Sequence, residues 1–410
     1  MSILIKDVML PWGRKASVSI LGNRIVEVGK NIKGEHEHVL DGKGCLLVPG
    51  LVNAHTHIAM TGFRGIADDL PLQEWLEEHI WPAEKEKVNP DFVYWNSLLG
   101  IIEMLKSGTT GFVDMYFHEN KTAEAVEKAG IRAWLGEGVA DTFEPVEKTL
   151  AKVEQLMKTR TDYVNVIVSP HAVYTCSEET LAKTAEFAEE HDLLLQVHAA
   201  ENKKEVKDSL EQTGMRPVEY LNEVGVLSPR TLIAHGVWVT DQEIQMISES
   251  GTSVAYNPES NAKLGSGVAP VREYIGKGVN VVLGTDGCAS NNNLDMVQEM
   301  RTGLFMQKVV HHDPTALRAE EALALATHNA YNFLSLDVGL EEGKLSDLAL
   351  ISMKKPHMQP VHDAVSNLVY SGSGPDVIAT IVNGRLVYDG KEVLGVDEQE
   401  VIEKVNGFWK

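Results

Sequence analysis

Residues 46–57 read LLVPGLVNAHTH. An aliphatic run and a Pro-Gly turn lead into a second apolar stretch that ends in His55 and His57. Side chains two apart on a strand share a face. These two imidazoles therefore converge on one point at a strand end, a placement that suits a metal ion. The fold follows from whether other strands deliver polar groups to the same point.

Seven further stretches have the texture of apolar strands. They are TTGFVDMYF from Thr109, IRAWLGEGV from Ile131, VNVIVSPHAVY from Val164, LLLQVHAAE from Leu193, RTLIAHGVW from Arg230, GTSVAYNP from Gly251 and VNVVLGTDG from Val279. Amphipathic helical segments, among them 91–107, 120–129, 178–190, 240–250 and 268–277, separate or follow them. Strands alternating with helices predict a parallel α/β fold. Eight such strands predict a (β/α)8 TIM barrel, with functional residues at the C-terminal strand ends; a doubly wound sheet is the alternative. Both ends of the chain differ, showing short strands with Gly-Asn, Asn-Gly and Asp-Gly turn signals. They predict a small β-sandwich formed by both chain termini: residues 1–50 give its first part, 51–343 the catalytic barrel and 344–410 its second part.

The strand ends carry the chemistry. His55 and His57 end the first strand, His171 the fourth, His198 the fifth, His235 the sixth and Asp286 the eighth. Zinc takes three or four such ligands, and a catalytic site leaves one position open. A lone HxH is weak evidence, and His36 and His38 in HEH form a decoy, expected to be solvated in the terminal sheet. Asp286 differs: a carboxylate after an apolar strand needs a charged partner if it is buried. The fourth strand offers no lysine to bridge a second metal, so one ion is expected rather than two.

Composition bounds the partners. Of 410 residues, 43% are hydrophobic and 23% charged, as in a soluble globular protein. A formal charge of −22, from 37 Lys+Arg against 59 Asp+Glu, repels nucleic acid and anionic membranes. No apolar run reaches membrane-spanning length, and MSILIKDVML lacks a signal-peptide pattern. A cytoplasmic protein that binds no nucleic acid and no membrane is expected. Cys45, Cys176 and Cys288 are too widely spaced for a CxxC site, so a metal must be held by histidine and carboxylate.

VNAHTH, HAAE, AHGVW and GTDG, in this order, resemble the amidohydrolase superfamily. The longer stretches TGFRGIADDLPLQEWLEEHIWPAE (61–84), SPHAVYTC, NPESNAKLGSGVAPV and GTDGCASNNNLD are similar to its 5′-methylthioadenosine/S-adenosylhomocysteine deaminase branch, with SNNNLD closest to the 5′-deoxyadenosine deaminases. The resemblance implies one Zn2+ per subunit on His55, His57, His198 and Asp286, with Fe2+ as an alternative. It implies Glu201 as the proton shuttle and His235 as a catalytic partner of Asp286. It places Glu84, His171, Glu201 and Asp286 against a small nucleoside substrate; a homo-oligomer is expected. Residues alone would leave Glu84 as a surface charge in EKEK. Trp75, Leu72 and His79 are spaced as one helical face, from which Trp75 and Leu72 are expected either to pack or to close a lid over the nucleoside, with Trp75 against the substrate. Cys176 and Cys288 are expected near the mouth without touching substrate. Much of this branch has an arginine where Glu137 stands, and Arg132, early in its strand, is a poor substitute. The competing functions are deamination of a free base such as guanine or cytosine, hydrolysis of a triazine, and a non-catalytic barrel scaffold.

Overall fold

The computed structural model describes residues 1–70 and 74–410. Eight parallel strands lie in chain order: Leu51–Thr56, Thr109–Tyr116, Arg132–Val139, Val164–Pro170, Leu194–Ala199, Thr231–His235, Ser253–Tyr256 and Val281–Leu283. Helices such as Pro90–Lys106, Glu119–Ala129, Glu178–Glu190 and Asp241–Ser250 connect them, and the barrel predicted from the alternation is the observed architecture. Val52, Val113, Trp134, Ile167, Leu232, Ala255 and Val282 fill the interior. Each comes from a different strand. Tyr331, Phe333 and Leu334 belong to the same cluster.

The seam between the first and eighth strands is closed largely by a side chain. Asn53 donates from Nδ2 to Thr285 Oγ1 at 2.7 Å, and its Oδ1 accepts Thr285 N–H at 2.9 Å. Asp286 N–H then donates to His55 C=O at 2.9 Å, which ties two predicted ligands together. Gly284 permits the approach, because a Cβ there would meet His55 N at 2.8 Å.

The first strand contains a bulge that decides where its histidines point. Asn53 lies opposite Phe112 but Thr56 opposite Asp114, so this strand carries one extra residue. Val52 and Ala54 face the barrel interior. Plain alternation would continue that face through Thr56; the bulge shifts the phase and turns His55 and His57 inward.

The terminal strands form one mixed sheet, in the order Arg385–Tyr388, Val377–Val382, Leu348–Ser352, Cys45–Pro49, Ser2–Met9, Lys15–Leu21 and Arg24–Gly29, with His38–Asp41 also paired to Ser2–Met9. One face, including Ile3, Val18, Leu47 and Leu350, is buried in a cluster drawn almost wholly from these strands, so the sheet has a core of its own. The other face packs on the barrel through Leu46, Val48, Ala349 and Ile351. The chain then leaves the sheet for the helix Glu398–Gly407. Phe408 packs on Phe92 and Trp409 on Phe63, with ring centroids at 5.3 and 5.9 Å.

Arg132 sits at the start of the third strand, and its Nε is 3.2 and 3.1 Å from the two carboxylate oxygens of buried Asp347. It binds barrel to sheet rather than facing a substrate. Removing one member of a buried ion pair costs about 3–5 kcal/mol, because the other is stranded. Arg132→Met is therefore expected to lower the thermal midpoint sharply, and Arg132→Met with Asp347→Leu to recover much of the loss; calorimetry of both variants checks this.

Candidate active site

The strand ends bring His55, His57, His198, His235 and Asp286 together. Ligand atoms of His55, His198, His235 and Asp286 lie within 4.8 Å of one another. His57 Nε2 joins them at 3.2 Å from Asp286 Oδ1 and 3.3 Å from His198 Nε2. His55 Nε2 is 3.5 Å from the same carboxylate oxygen.

Hydrogen bonds on the far side of each ring fix what it offers the centre. His55 Nδ1–H donates to Gln196 Oε1 at 3.1 Å, His57 Nδ1–H to Met115 C=O at 2.6 Å, and His198 Nδ1–H to His171 C=O at 2.7 Å. All three acceptors are oxygens, so the protons sit on Nδ1 and three Nε2 lone pairs face inward beside a carboxylate. His55 Nε2 is buried and has no hydrogen-bond partner among the described residues. Converging lone pairs and a negative charge repel one another unless a cation lies among them, so the donor set fits a metal ion. The Asp286 carboxylate draws positive charge to this point, a proton or a metal ion: although burial opposes it, Asp286 raises His57 to about 9, and His55 and His57 in turn hold Asp286 far below the usual carboxylate range.

His235 is oriented differently. Its Nδ1 faces the amide nitrogens of Asn261 at 2.9 Å and Asn257 at 3.3 Å. With the amides so placed, Nδ1 accepts and the proton sits on Nε2, 3.9 Å from Asp286 Oδ2. Burial lowers this ring to about 4. Asp286 Oδ2 also accepts the hydroxyls of Ser260 at 2.6 Å and Ser290 at 3.0 Å. His235 and Asp286 have φ of +76° and +65°, a left-handed conformation that side chains rarely adopt away from functional sites.

A cavity over this cluster is walled by Glu201, Glu84, Trp75, His171 and Tyr116, among others. Glu201 is buried and accepts Ser266 Oγ–H at 3.0 Å. Burial, reinforced by nearby Asp286, pushes its carboxyl up to about 7. Glu84, on the helix Trp81–Lys87, is half-buried, accepts Tyr116 O–H at 2.7 Å, and is likewise raised to about 7 by burial. His171 Nδ1 pairs with Thr175 Oγ1 at 2.8 Å. Trp75 is buried and its indole N–H has no partner among the described residues.

Some expectations need correction. Trp75 and His79 do not share a face, since Trp75 is buried and His79 exposed. Trp75–Ile80 is a wide turn with a bond from Trp81 N–H to Leu76 C=O, so Ile80, five residues on, is the buried companion. Leu72 lies outside the described residues. His36 and His38 are half-buried rather than fully solvated, and His36 Nε2 pairs with Ser19 Oγ at 2.9 Å. Cys176 turns to Val139 C=O at 3.1 Å and Cys288 lies 3.6 Å from the Arg64 guanidinium, and, as expected, neither is among the described walls of the cavity.

A second cavity adjoins the first, sharing Trp81, Glu84, Phe117 and Phe143 as walls. Glu137 lines it, with Oε1 accepting Glu119 N–H at 3.0 Å at the start of the helix Glu119–Ala129. A helix N-terminus attracts anions, and here the protein's own carboxylate takes that place. Lys152 also lines this annex, but it is paired with Glu144.

Several contributors went unread in the sequence. Gln196 shares the inward face of QVH and Glu205 follows Asn202 by a capping interval, so both had a signal. Ser260, Ser266, Ser290 and Tyr116 had none, since their roles depend on separate elements meeting in space.

A (β/α)8 barrel with a metal-ready histidine–aspartate cluster and a buried glutamate at its strand ends defines a metal-dependent hydrolase. The chain belongs to the amidohydrolase family, whose profile matches residues 46–387. It is 47% identical over 398 residues to a 5′-deoxyadenosine deaminase of Methanothermobacter thermautotrophicus, covering 95% of this chain and 93% of that one. It is 42% identical over 414 residues to a 5-methylthioadenosine/S-adenosylhomocysteine deaminase of Pyrococcus furiosus, covering 98% and 99%. Among solved structures it is similar to an adenosine deaminase of Xanthomonas campestris with bound zinc, with a TM-score of 0.96, 32% identity and coverage of 99% and 97%.

Proposed function

We propose that this chain hydrolyses the 6-amino group of 5′-substituted adenosines, giving the inosine analogue and ammonia, with 5′-deoxyadenosine and 5′-methylthioadenosine preferred over S-adenosylhomocysteine. The observation that carries this is Glu201: a buried carboxyl raised to about 7 in the same cavity as the cluster, able to hold a proton at neutral pH and then release it. The names of the relatives support the substrate class.

His55, His57, His198 and Asp286 would hold one divalent ion, zinc, because their Nε2 lone pairs and carboxylate converge, while His235 presents N–H instead. Bound there, the ion supplies Lewis-acid activation of water, bringing its ionisation down to roughly pH 7. Glu201 protonates ring N1 as water adds at C6. Asp286 takes a proton from that water, its other oxygen kept aligned by Ser260 and Ser290. As the C6–N bond breaks, Glu201, a carboxylate after protonating N1, takes the C6 hydroxyl proton and passes it to the amino group, which leaves as ammonia, and the proton on Asp286 then returns Glu201 to its acid form. Glu84 accepts ribose hydroxyls, and His171 flanks the purine. The enzyme would be cytoplasmic and homo-oligomeric, its acidic exterior keeping it from nucleic acid and membranes. Among the described residues no helix is long and apolar enough to cross a membrane.

Trp75, whose indole N–H has no partner among the described residues, donates it to the nucleoside. One neutral hydrogen bond contributes about 0.5–1.5 kcal/mol, so Trp75→Phe, which keeps an aromatic ring, is expected to raise KM about 2- to 10-fold with kcat little changed, in steady-state kinetics.

Specificity lies in the annex. A 5′ substituent entering it meets Glu137, which would repel a carboxylate. The test is kcat/KM for 5′-deoxyadenosine, 5′-methylthioadenosine, S-adenosylhomocysteine, adenosine and guanine, with ammonia as the readout. The first two should exceed the homocysteine conjugate, and Glu137→Gln should narrow that gap. Preference for the conjugate would overturn the specificity, and activity on guanine alone would overturn the nucleoside assignment.

A further inference from the structure

The proton carried by Glu201 is useful only if it points at the ring, and its position is set by a strained turn. The fifth strand ends at Ala199, and Ala200 follows with φ +54°, a conformation that a residue with a side chain keeps only when its surroundings hold it there. Ala200 C=O accepts Val237 N–H at 2.9 Å and Trp238 N–H at 2.8 Å, joining this turn to the loop after His235. Glu205 closes the turn from the other side. Its Oε1 accepts Ala200 N–H and its Oε2 accepts Glu201 N–H, each at 2.8 Å.

Glu205 is buried, at the third position of the helix Lys203–Thr213, and its own N–H is accepted by the cap residue Asn202 at 2.9 Å. Burial pushes its carboxyl up to about 7, against the two amides it binds. A carboxylate so placed is costly to bury, and it touches none of the cluster. The far end of Glu201 is held separately. Ser266 Oγ–H donates to its Oε1 at 3.0 Å. Ser266 is itself fixed, its N–H donating to Asn261 C=O at 2.9 Å and its C=O accepting Trp238 Nε1–H at 2.6 Å.

We propose that Glu205 and Ser266 are positioning residues for the deamination, gripping Glu201 at its backbone amide and at its carboxyl so that its proton faces the substrate ring. This rests on the deaminase assignment above. Slack in the turn would displace the Glu201 carboxyl while leaving the cavity walls and the cluster in place.

The test is steady-state kinetics on 5′-deoxyadenosine, with metal content measured on every sample. A displacement of about 1 Å costs about 10²-fold, so Glu205→Ala is expected to lower kcat by that order with KM and metal content little changed. Glu205→Gln keeps one acceptor oxygen and should recover part of the loss. Ser266→Ala should lower kcat about 2- to 10-fold, the worth of one hydrogen bond. In a Glu201→Gln background neither change should cost much more, because both act through Glu201. Unchanged kcat in Ser266→Ala and Glu205→Gln would overturn the proposal. So would a loss that persists in full without Glu201, or one that tracks loss of metal. If Glu205→Ala does not fold, the other two variants decide. An inactive wild type would overturn the deaminase assignment and this proposal with it, whereas an active wild type with unaffected variants overturns this proposal alone.

Discussion

Glu201→Gln is expected to lower kcat for 5′-deoxyadenosine by about 10²–10⁴-fold, the range general acid–base groups contribute, while metal content stays at the wild-type level. The substitution keeps the shape of the side chain and the capacity to accept from Ser266. It removes the group that delivers a proton to N1 and then to the departing ammonia. KM should change little, since an amide can still hydrogen-bond the ring. Single-turnover measurement separates the two effects: binding persists and conversion slows. A loss of metal in this variant would instead make Glu201 part of the cluster.

Asp286→Asn is expected to be the more severe change, because one carboxylate serves two purposes. Its Oδ1 lies 3.5 and 3.2 Å from His55 and His57 Nε2 and is the sole negative charge in the cluster, and the same carboxylate would receive the proton of the attacking water. Opposite unit charges at about 4 Å interact by about 4 kcal/mol at an effective dielectric near 20. Removing that attraction should weaken metal binding by roughly 10³-fold. Activity should fall by at least about 10⁴-fold, the upper end of acid–base contributions. Excess metal should restore occupancy but not turnover, which equilibrium dialysis and kinetics on the same samples would show. The double hydroxyl contact from Ser260 and Ser290 holds the asparagine in place, so the change is chemical rather than geometric.

The barrel was legible because its signal is local. Each strand is a short apolar run, and polar residues at the ends of five of them stand out against it. What the sequence left open was register. His55 and His57 share a face whichever way the strand pairs, but a bulge between Asn53 and Thr56 turns that face inward. Nothing in VNAHTH announces the extra residue. Glu84 is a similar case: in EKEK it reads as a solvated charge, and burial follows only from the Tyr116 hydroxyl and the walls of the cavity around it. The expected face of Trp75 and His79 fails for a local reason, because a wide turn replaces the 3.6-residue period on which that spacing depends. Ser260 and Ser266 lie 26 and 65 residues from the carboxylates they orient, Asp286 and Glu201, and no single-residue pattern marks them.

The central claim is that one divalent ion on this cluster, with Glu201 beside it, drives hydrolysis at C6. The direct measurement is to remove metal with a chelator, titrate zinc back into the protein, and follow ammonia release from 5′-deoxyadenosine against bound metal. Activity should be absent in the metal-free chain, rise in proportion to bound zinc, and reach its plateau at one ion per chain. Turnover without metal, or a plateau only at two ions per chain, would contradict the account.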